Sequence, residues 1–210
     1  MNIKVCGITE FKQMQQLDAL NVDFVGMIFH PASPRFVGDK LSKKDIKKAD
    51  FDFKKVGVFV NPEMIDVLDA IDDYGLDVVQ LHGHESAEMC EDLSSEVEVI
   101  KAFSIDSNVK DIDALVAPYD AVCDYYLFDT AGNAAGGNGE KFDWSILTKA
   151  KIEKPFLQAL RRGIGRSCCA YANKLCSWHC NRFLTIQIVG CEIGMEAGQE
   201  DNGFYIPCHG

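Results

Sequence analysis

The chain has 210 residues, of which 47% are hydrophobic and 25% charged. This length is enough for one well-buried core but short for two full domains. Its formal net charge of −11 disfavours nucleic acids and anionic membranes as partners, because both require a positive field at the protein surface. The sequence shows neither the basic-then-apolar pattern of a signal peptide nor a run of about 18 apolar residues, so we expect a soluble, cytoplasmic protein with one domain over residues 1–210.

Short apolar, β-branched runs alternate with amphipathic segments up to about residue 160, as in repeated βα units around a parallel sheet. The pattern predicts strands over residues 2–6, 23–29, 55–60, 77–81, 97–103, 124–129 and 155–159. It also predicts two helix starts. Thr9 is expected to cap a helix that runs to Leu20, and Asn61 is expected to cap a helix with Pro62 in its first turn.

Seven strands in fewer than 160 residues, with an eighth expected, favour an α/β fold of the (β/α)8 or TIM-barrel type. A doubly wound open sheet is the main alternative, and it would bind a ligand at a single switch point. Polar residues here end several different strands, which favours the barrel. The loop over residues 132–139 lacks the pattern G-x-G-x-x-G, which argues against a nicotinamide cofactor.

Two reactive side chains end predicted strands: Cys6, which precedes Gly7, and Asp129, which precedes a glycine-rich loop. The carboxyl ends of barrel strands form the catalytic face, so Cys6 could act as a base or nucleophile and Asp129 as an acid. Each residue also has a structural explanation, because free cysteine is often buried and aspartate often stabilises turns.

Arg35 lies in a loop that Pro31 and Pro34 stiffen, after the second predicted strand. A cation held there suits a carboxylate or phosphate group of a ligand, whereas a solvated surface arginine is the alternative. His82 ends the fourth predicted strand, where it could either contact a ligand or form part of the barrel wall.

The composition changes after about residue 160, where six of the nine cysteines lie and the βα periodicity is lost. We therefore expect the last barrel units to be atypical or incomplete, with residues 160–210 as a divergent tail. One hypothesis is that the tail is translated out of frame. The alternative is a genuine divergent ending, in which the alternation of apolar side chains over residues 182–189 supplies the last strand.

The cysteines of the tail also raise the question of a metal site. The candidate ligands are Cys168, Cys169, Cys176, His179 and Cys180. They lack the C-x2-C spacing of common zinc modules, so the sequence predicts no metal site.

The motifs, in this order, resemble the N-(5′-phosphoribosyl)anthranilate isomerase family, whose members are (β/α)8 enzymes of tryptophan biosynthesis. The matching segments are Lys4–Thr9, Gly26–Phe29, Ser33–Val37, Val56–Asn61, Val79–Gly83 and Phe128–Trp144. The resemblance covers residues 2–159. Beyond it the family pattern expects a glycine pair, which this chain echoes only as Gly163-Ile164-Gly165.

The resemblance implies an Amadori rearrangement, in which Asp129 is the general acid that protonates the ring oxygen and Cys6 is the general base at C2′. It implies that Arg35 holds the anthranilate carboxylate and that His82, Gly136 and Gly137 also bind substrate. The implied ligand is a small phosphorylated molecule, with no metal and no organic cofactor, and the implied assembly is a monomer or homodimer.

Two alternatives remain open at this stage. The chain could be a catalytically impaired barrel remnant whose cysteine-rich tail binds a metal or a protein, which stoichiometric zinc in an inactive purified protein would favour. It could instead be another small barrel isomerase or lyase acting on a sugar phosphate, which substrate profiling would reveal.

Overall fold

Eight parallel strands close into a barrel in chain order in a computed structural model, which describes residues 2–106, 108–130, 145–160 and 184–189. The strands are β1 (Asn2–Cys6), β2 (Phe24–Ile28), β3 (Lys54–Phe59), β4 (Val78–Leu81), β5 (Glu98–Ile105), β6 (Tyr125–Thr130), β7 (Phe156–Leu160) and β8 (Leu184–Val189). The seven predicted strands are confirmed to within two residues at each end. The barrel is therefore confirmed, and the open sheet is excluded.

Each of the first six strands is followed by an α-helix in the described part of the chain. The helices are α1 (Phe11–Ala19), α2 (Lys43–Lys48), α3 (Met64–Tyr74), α4 (Ala87–Ser94), α5 (Ile112–Val116) and α6 (Ser145–Lys149). This regular alternation places the loops after the strands at one end of the barrel, where barrel enzymes bind their ligands.

The predicted start of α1 at Thr9 is wrong by one residue, because Glu10 occupies the capping position. The side-chain oxygen of Gln13 accepts hydrogen bonds from the amides of Thr9 at 3.1 Å and of Glu10 at 3.2 Å. These two bonds pair amides that would otherwise lack a partner at the helix start.

Asn61 does not cap α3, which begins at Met64 with Glu63 before it. Asn61 instead adopts a left-handed backbone conformation with φ of 45°, which asparagine tolerates better than most residues. Its side-chain oxygen accepts a hydrogen bond from the amide of His84 at 2.7 Å, in the loop after β4. Asn61 therefore connects two neighbouring loops.

β8 closes the barrel because it pairs in parallel with both β1 and β7. Val189 lies opposite Cys6, and Ile186 lies opposite Gln158. An incomplete barrel would leave a sheet edge unpaired at this place, so the expected incompleteness does not extend to the eighth strand. The strand falls where the alternation over residues 182–189 predicts it. The connection over residues 161–183 and the chain after residue 189 lie outside the described residues.

Alternation along the strands separates two cores. The inner one contains Cys6, Phe24, Val56, Val58, Val78, Ile100, Ala102, Leu127, Leu157 and Ala159. The outer one lies between the sheet and the helices and includes Val5, Leu81, Phe103 and Phe128. Because side chains two residues apart point to the same side, the inner phase continues to His82 and Asp129 at one mouth of the barrel. At the opposite mouth, Lys54 Nζ lies 2.7 Å from Glu98 Oε2.

Candidate active site

The strand ends bring three predicted site residues to the mouth formed by the carboxyl ends of the strands. Cys6 ends β1, His82 directly follows β4, and Asp129 lies near the end of β6. His82 Nε2 lies 3.8 Å from Asp129 Oδ2. Ser104 of β5 is opposite Asp129 in the sheet register and is exposed, which makes it a further wall residue that sequence analysis missed.

Cys6 is buried, with 4% of its surface exposed, and packs closely over Gly26 of the neighbouring strand. A Cβ atom on Gly26 would lie 2.8 Å from Cys6 Sγ and 3.2 Å from its Cα, so a glycine is needed at this position. The Gly26 carbonyl accepts hydrogen bonds from the amides of Gly7 at 2.9 Å and Ile8 at 3.1 Å. The backbone on both sides of the thiol is therefore fixed.

Lys4 precedes Cys6 by two residues on the inner phase of β1 and is completely buried. Its ammonium group and the Cys6 side chain therefore lie on the same inward side of one strand. Burial lowers the pKa of Lys4, while the charge and the hydrogen bond of Cys6 partly oppose that change. Lys4 was not predicted as a site residue, although a lysine within an apolar strand requires a partner.

Asp129 is almost buried, with 8% of its side chain exposed, and faces the imidazole of His82. Gln80 Nε2 lies 3.2 Å from His82 Nδ1, and with the amide as donor the hydrogen of the neutral ring is on Nε2, which faces Asp129. Burial lowers the pKa of His82, the negative charge of Asp129 opposes this, and the positive charge of Lys4 adds to the lowering. The imidazole is therefore neutral at neutral pH.

Arg35 is half-buried and packs across the loop that follows Cys6. Gly7 there has φ of +90°, and a Cβ atom on it would lie 2.8 Å from Arg35 Cδ. The Arg35 amide donates a hydrogen bond to Ser33 Oγ at 3.2 Å, which orders the loop after β2. The cation is thus close to the strand end that carries the thiol.

A buried ion pair supports the loops beneath this mouth. Glu85 Oε2 lies 2.7 Å from Lys101 Nζ, and their side chains are only 1% and 3% exposed. Glu85 Oε1 accepts hydrogen bonds from the amides of Asn61 at 2.8 Å and Gly83 at 2.9 Å. Lys101 Nζ also donates to the Gly83 carbonyl at 2.9 Å. We call Asn61, Gly83, Glu85 and Lys101 the loop clamp.

The loop clamp joins the loops after β3 and β4 to β5, and Gly83 is the residue next to His82. Burial alone would raise the pKa of Glu85, but the hydrogen bond and charge of Lys101, with the amide donors, outweigh burial and lower it. This network was not predicted from the sequence because its members are distant in the chain. Lys101 in the apolar strand β5 was the available indication.

Two predicted site residues, Gly136 and Gly137, lie outside the described residues, as do the candidate metal ligands of the tail. Among the residues that the structure describes, no group of three or more His, Cys, Asp or Glu side chains could hold a metal ion. None of the helices in those ranges is long and apolar enough to cross a membrane.

Known proteins match most of the chain. The family model for N-(5′-phosphoribosyl)anthranilate (PRA) isomerase matches residues 3–164. The N-(5′-phosphoribosyl)anthranilate isomerase of Parabacteroides distasonis is 40% identical over 159 residues, which are 75% of this chain and 71% of the relative.

Solved structures extend the similarity of the fold. Phosphoribosyl anthranilate isomerase from Thermus thermophilus matches with a TM-score of 0.70 and 22% identity, over 90% of this chain and 87% of the other. A phosphoribosyl anthranilate isomerase in complex with reduced 1-(o-carboxyphenylamino)-1-deoxyribulose 5-phosphate matches with a TM-score of 0.69 and 23% identity, over 96% of this chain and 92% of the other. At these identities the two structures establish the fold alone.

Proposed function

The chain belongs to the N-(5′-phosphoribosyl)anthranilate isomerase family, and from that premise we propose that it catalyses the Amadori rearrangement of phosphoribosylanthranilate in tryptophan biosynthesis. The product is 1-(2-carboxyphenylamino)-1-deoxyribulose 5-phosphate. The observation that carries this proposal is the position of Cys6 and Asp129 at one mouth of the barrel, within the 3–164 range of the family match.

Asp129 is proposed as the general acid of the first step. It protonates the ring oxygen of the ribose, the bond between that oxygen and C1′ breaks, and the nitrogen lone pair forms an imine cation with C1′. The carboxyl group must carry a proton when the substrate is bound, and its side chain is only 8% exposed, so the proton is delivered to the ring oxygen away from bulk water.

Cys6 is proposed as the general base of the second step. Its thiolate removes the proton from C2′, and the electrons of the C–H bond form a C1′–C2′ double bond and neutralise the imine cation. The resulting enol then takes up a proton at C1′ and loses its hydroxyl proton at C2′, which gives the ketone of the product. A base buried to 96% is protected from bulk water, which would otherwise compete for the same proton.

Binding of the substrate is proposed to use the residues around this pair. Arg35 can hold the anthranilate carboxylate with a two-pronged hydrogen bond, because its guanidinium group is planar and always charged. We assign His82 to the wall of the sugar site, next to Asp129. Gly136 and Gly137 would contact the substrate from the loop after β6. The proposed acid and base steps use only side chains of the protein, with no metal and no organic cofactor.

The function is tested by the decay of phosphoribosylanthranilate fluorescence when purified protein of verified full-length mass is added. We expect turnover in the parent chain and its loss in Cys6→Ala and in Asp129→Asn. Matched controls are Cys90→Ala, another buried cysteine but one that lies on α4, and Asp66→Asn, an exposed carboxylate on α3. Both controls should retain turnover.

Two outcomes would contradict the proposal. Full activity in either Cys6→Ala or Asp129→Asn would exclude the assigned acid and base. No turnover by a folded parent chain would favour the impaired barrel remnant, and other sugar phosphates would then be screened. A cytoplasmic location and a monomeric or homodimeric state complete the proposal, and sedimentation of the purified protein tests the latter.

A further inference from the structure

Lys4 is a fully buried amine that the acid and base steps above do not use. Transfer of an ammonium group into an apolar interior is unfavourable, and burial accordingly lowers the pKa of Lys4. A side chain of this kind is retained in a core only where another group stabilises its charge. Cys6, two residues further along the same strand and also buried, is the residue that the proposed mechanism needs as a thiolate.

The backbone explains why the two side chains meet. Lys4 and Cys6 are separated by one residue on β1, so both point into the barrel. The neighbouring strand offers Gly26 at the level of Cys6, and the space that its missing side chain leaves is filled by the thiol. Gly26 therefore leaves room for the Cys6 thiol on the inner side of the sheet, the side to which Lys4 also points.

Among the side chains that the structure describes, few other inward ones carry a charge. The described inner residues of β2, β3, β5 and β7 at mid-barrel are apolar, namely Phe24, Val56, Val58, Ile100, Ala102, Leu157 and Ala159. In the described part of the chain, the titratable groups nearest to Lys4 on the inner phase are His82 after β4, on which the charge of Lys4 acts, and Asp129 of β6 beside it. Lys54 and Glu98 pair with each other at the opposite mouth.

We propose that Lys4 is a positioning residue whose ammonium group holds Cys6 in the thiolate form and aims its sulfur at the substrate. A thiolate is the active form of a cysteine base, and a neighbouring cation is the usual means of obtaining it. This inference deepens the proposed isomerase function and rests on it for the catalytic role. The proton balance is simple: Sγ gains the proton of C2′, while Lys4 keeps its own proton throughout.

The inference is tested by titrating the ultraviolet absorbance of the thiolate in the parent chain, in Lys4→Met and in Lys4→Arg. Each protein is compared with the same protein carrying Cys6→Ala, so that the other cysteines cancel. We expect the Cys6 titration midpoint in Lys4→Met to rise by at least about one pH unit, equivalent to a tenfold loss of thiolate near neutral pH. Lys4→Arg should restore most of the thiolate because it restores the charge.

Lys54→Met is the matched control, because it removes a partly inward lysine from the opposite mouth. It should leave the Cys6 titration unchanged even if the barrel becomes less stable. Alkylation of Cys6 by iodoacetamide at several pH values, followed on its peptide by mass spectrometry, provides an independent measurement. An unchanged Cys6 titration in a folded Lys4→Met protein would overturn the inference.

Isomerase kinetics separate this inference from the proposed function. If both hold, Lys4→Met lowers kcat about tenfold or more at neutral pH with little change in KM, and higher pH restores part of the rate. If the parent chain lacks turnover but Lys4→Met still shifts the thiolate titration, the proposed function fails and the thiolate role of Lys4 remains. If the parent chain is active and Lys4→Met matches it in both rate and titration, only this inference fails.

Discussion

Replacing Lys101 by methionine removes the cation from the buried pair with Glu85, and we expect it to destabilise the fold by about 3–5 kcal/mol. The magnitude follows from the geometry, since the two side chains are only 1% and 3% exposed and water cannot replace the lost partner. The Gly83 carbonyl also loses its hydrogen bond from Lys101 Nζ. Urea denaturation followed by circular dichroism measures the change.

A double-mutant cycle makes this test specific. Glu85→Gln alone keeps an oxygen that can accept from the Asn61 and Gly83 amides, but it leaves the Lys101 ammonium buried without its partner. The combination of Glu85→Gln with Lys101→Met contains no buried charge, so it should be more stable than the sum of the single changes predicts. Strict additivity, or a loss below about 1 kcal/mol in Lys101→Met, would refute the reasoning. Lys43→Met, which removes an exposed pair with Asp73, is the control and should unfold like the parent.

The same pair predicts how stability depends on pH. The lowered pKa of Glu85 means that its contribution is complete above the value of an unfolded glutamate, about 4.3, and is lost as the pH falls through the folded value. In Lys101→Met the carboxylate has lost its cation and should take up a proton more readily. The destabilisation relative to the parent chain should therefore shrink in acid.

Three further expectations concern the mouth of the barrel. Gly26→Ala should lower kcat at least about tenfold because its Cβ would displace Cys6. Gly57→Ala is the control, because a Cβ there meets only side-chain atoms of Leu76 and Phe59. It should reduce stability in urea but retain kcat. The pKa of His82 is lowered in the folded chain, so thermal stability should fall as the pH drops below about 6.5, where the unfolded chain takes up a proton on this residue more readily. His82→Gln should flatten that dependence. An identical pH profile in His82→Gln would show that His82 does not cause it. Arg35→Met should raise KM for phosphoribosylanthranilate about tenfold or more, and an unchanged KM would exclude Arg35 as the carboxylate partner.

The strands could be predicted because each one is a short apolar run whose period and spacing are properties of the local sequence. The same regularity predicted where Cys6 and Asp129 lie, since a residue that ends a parallel barrel strand reaches the same mouth as the ends of the other strands. Even the eighth strand follows from alternation over residues 182–189, although its flanking sequence has lost the βα pattern.

The contacts of the loop clamp could not be predicted from local sequence patterns. Asn61 resembled a helix cap, but its amide binds Glu85, 24 residues away, and its side chain binds the amide of His84. Lys101 and Glu85 are separated by 16 residues and meet only after the loop following β4 has folded over β5. Such contacts depend on the tertiary fold, so a lysine in an apolar strand does not by itself identify its partner.

The closure of the barrel by β1 and β8 affects the order in which the chain folds. β1 is synthesised first, yet one of its two neighbours is β8, and Cys6 lies opposite Val189, more than 180 residues later. Contacts of such long sequence separation form late, because the entropy of closing the chain must be overcome before they stabilise the fold. The edge of the strand that carries the proposed base therefore stays open while the rest of the barrel is assembled. We expect catalytic competence to appear abruptly with closure, after most of the sheet has already formed.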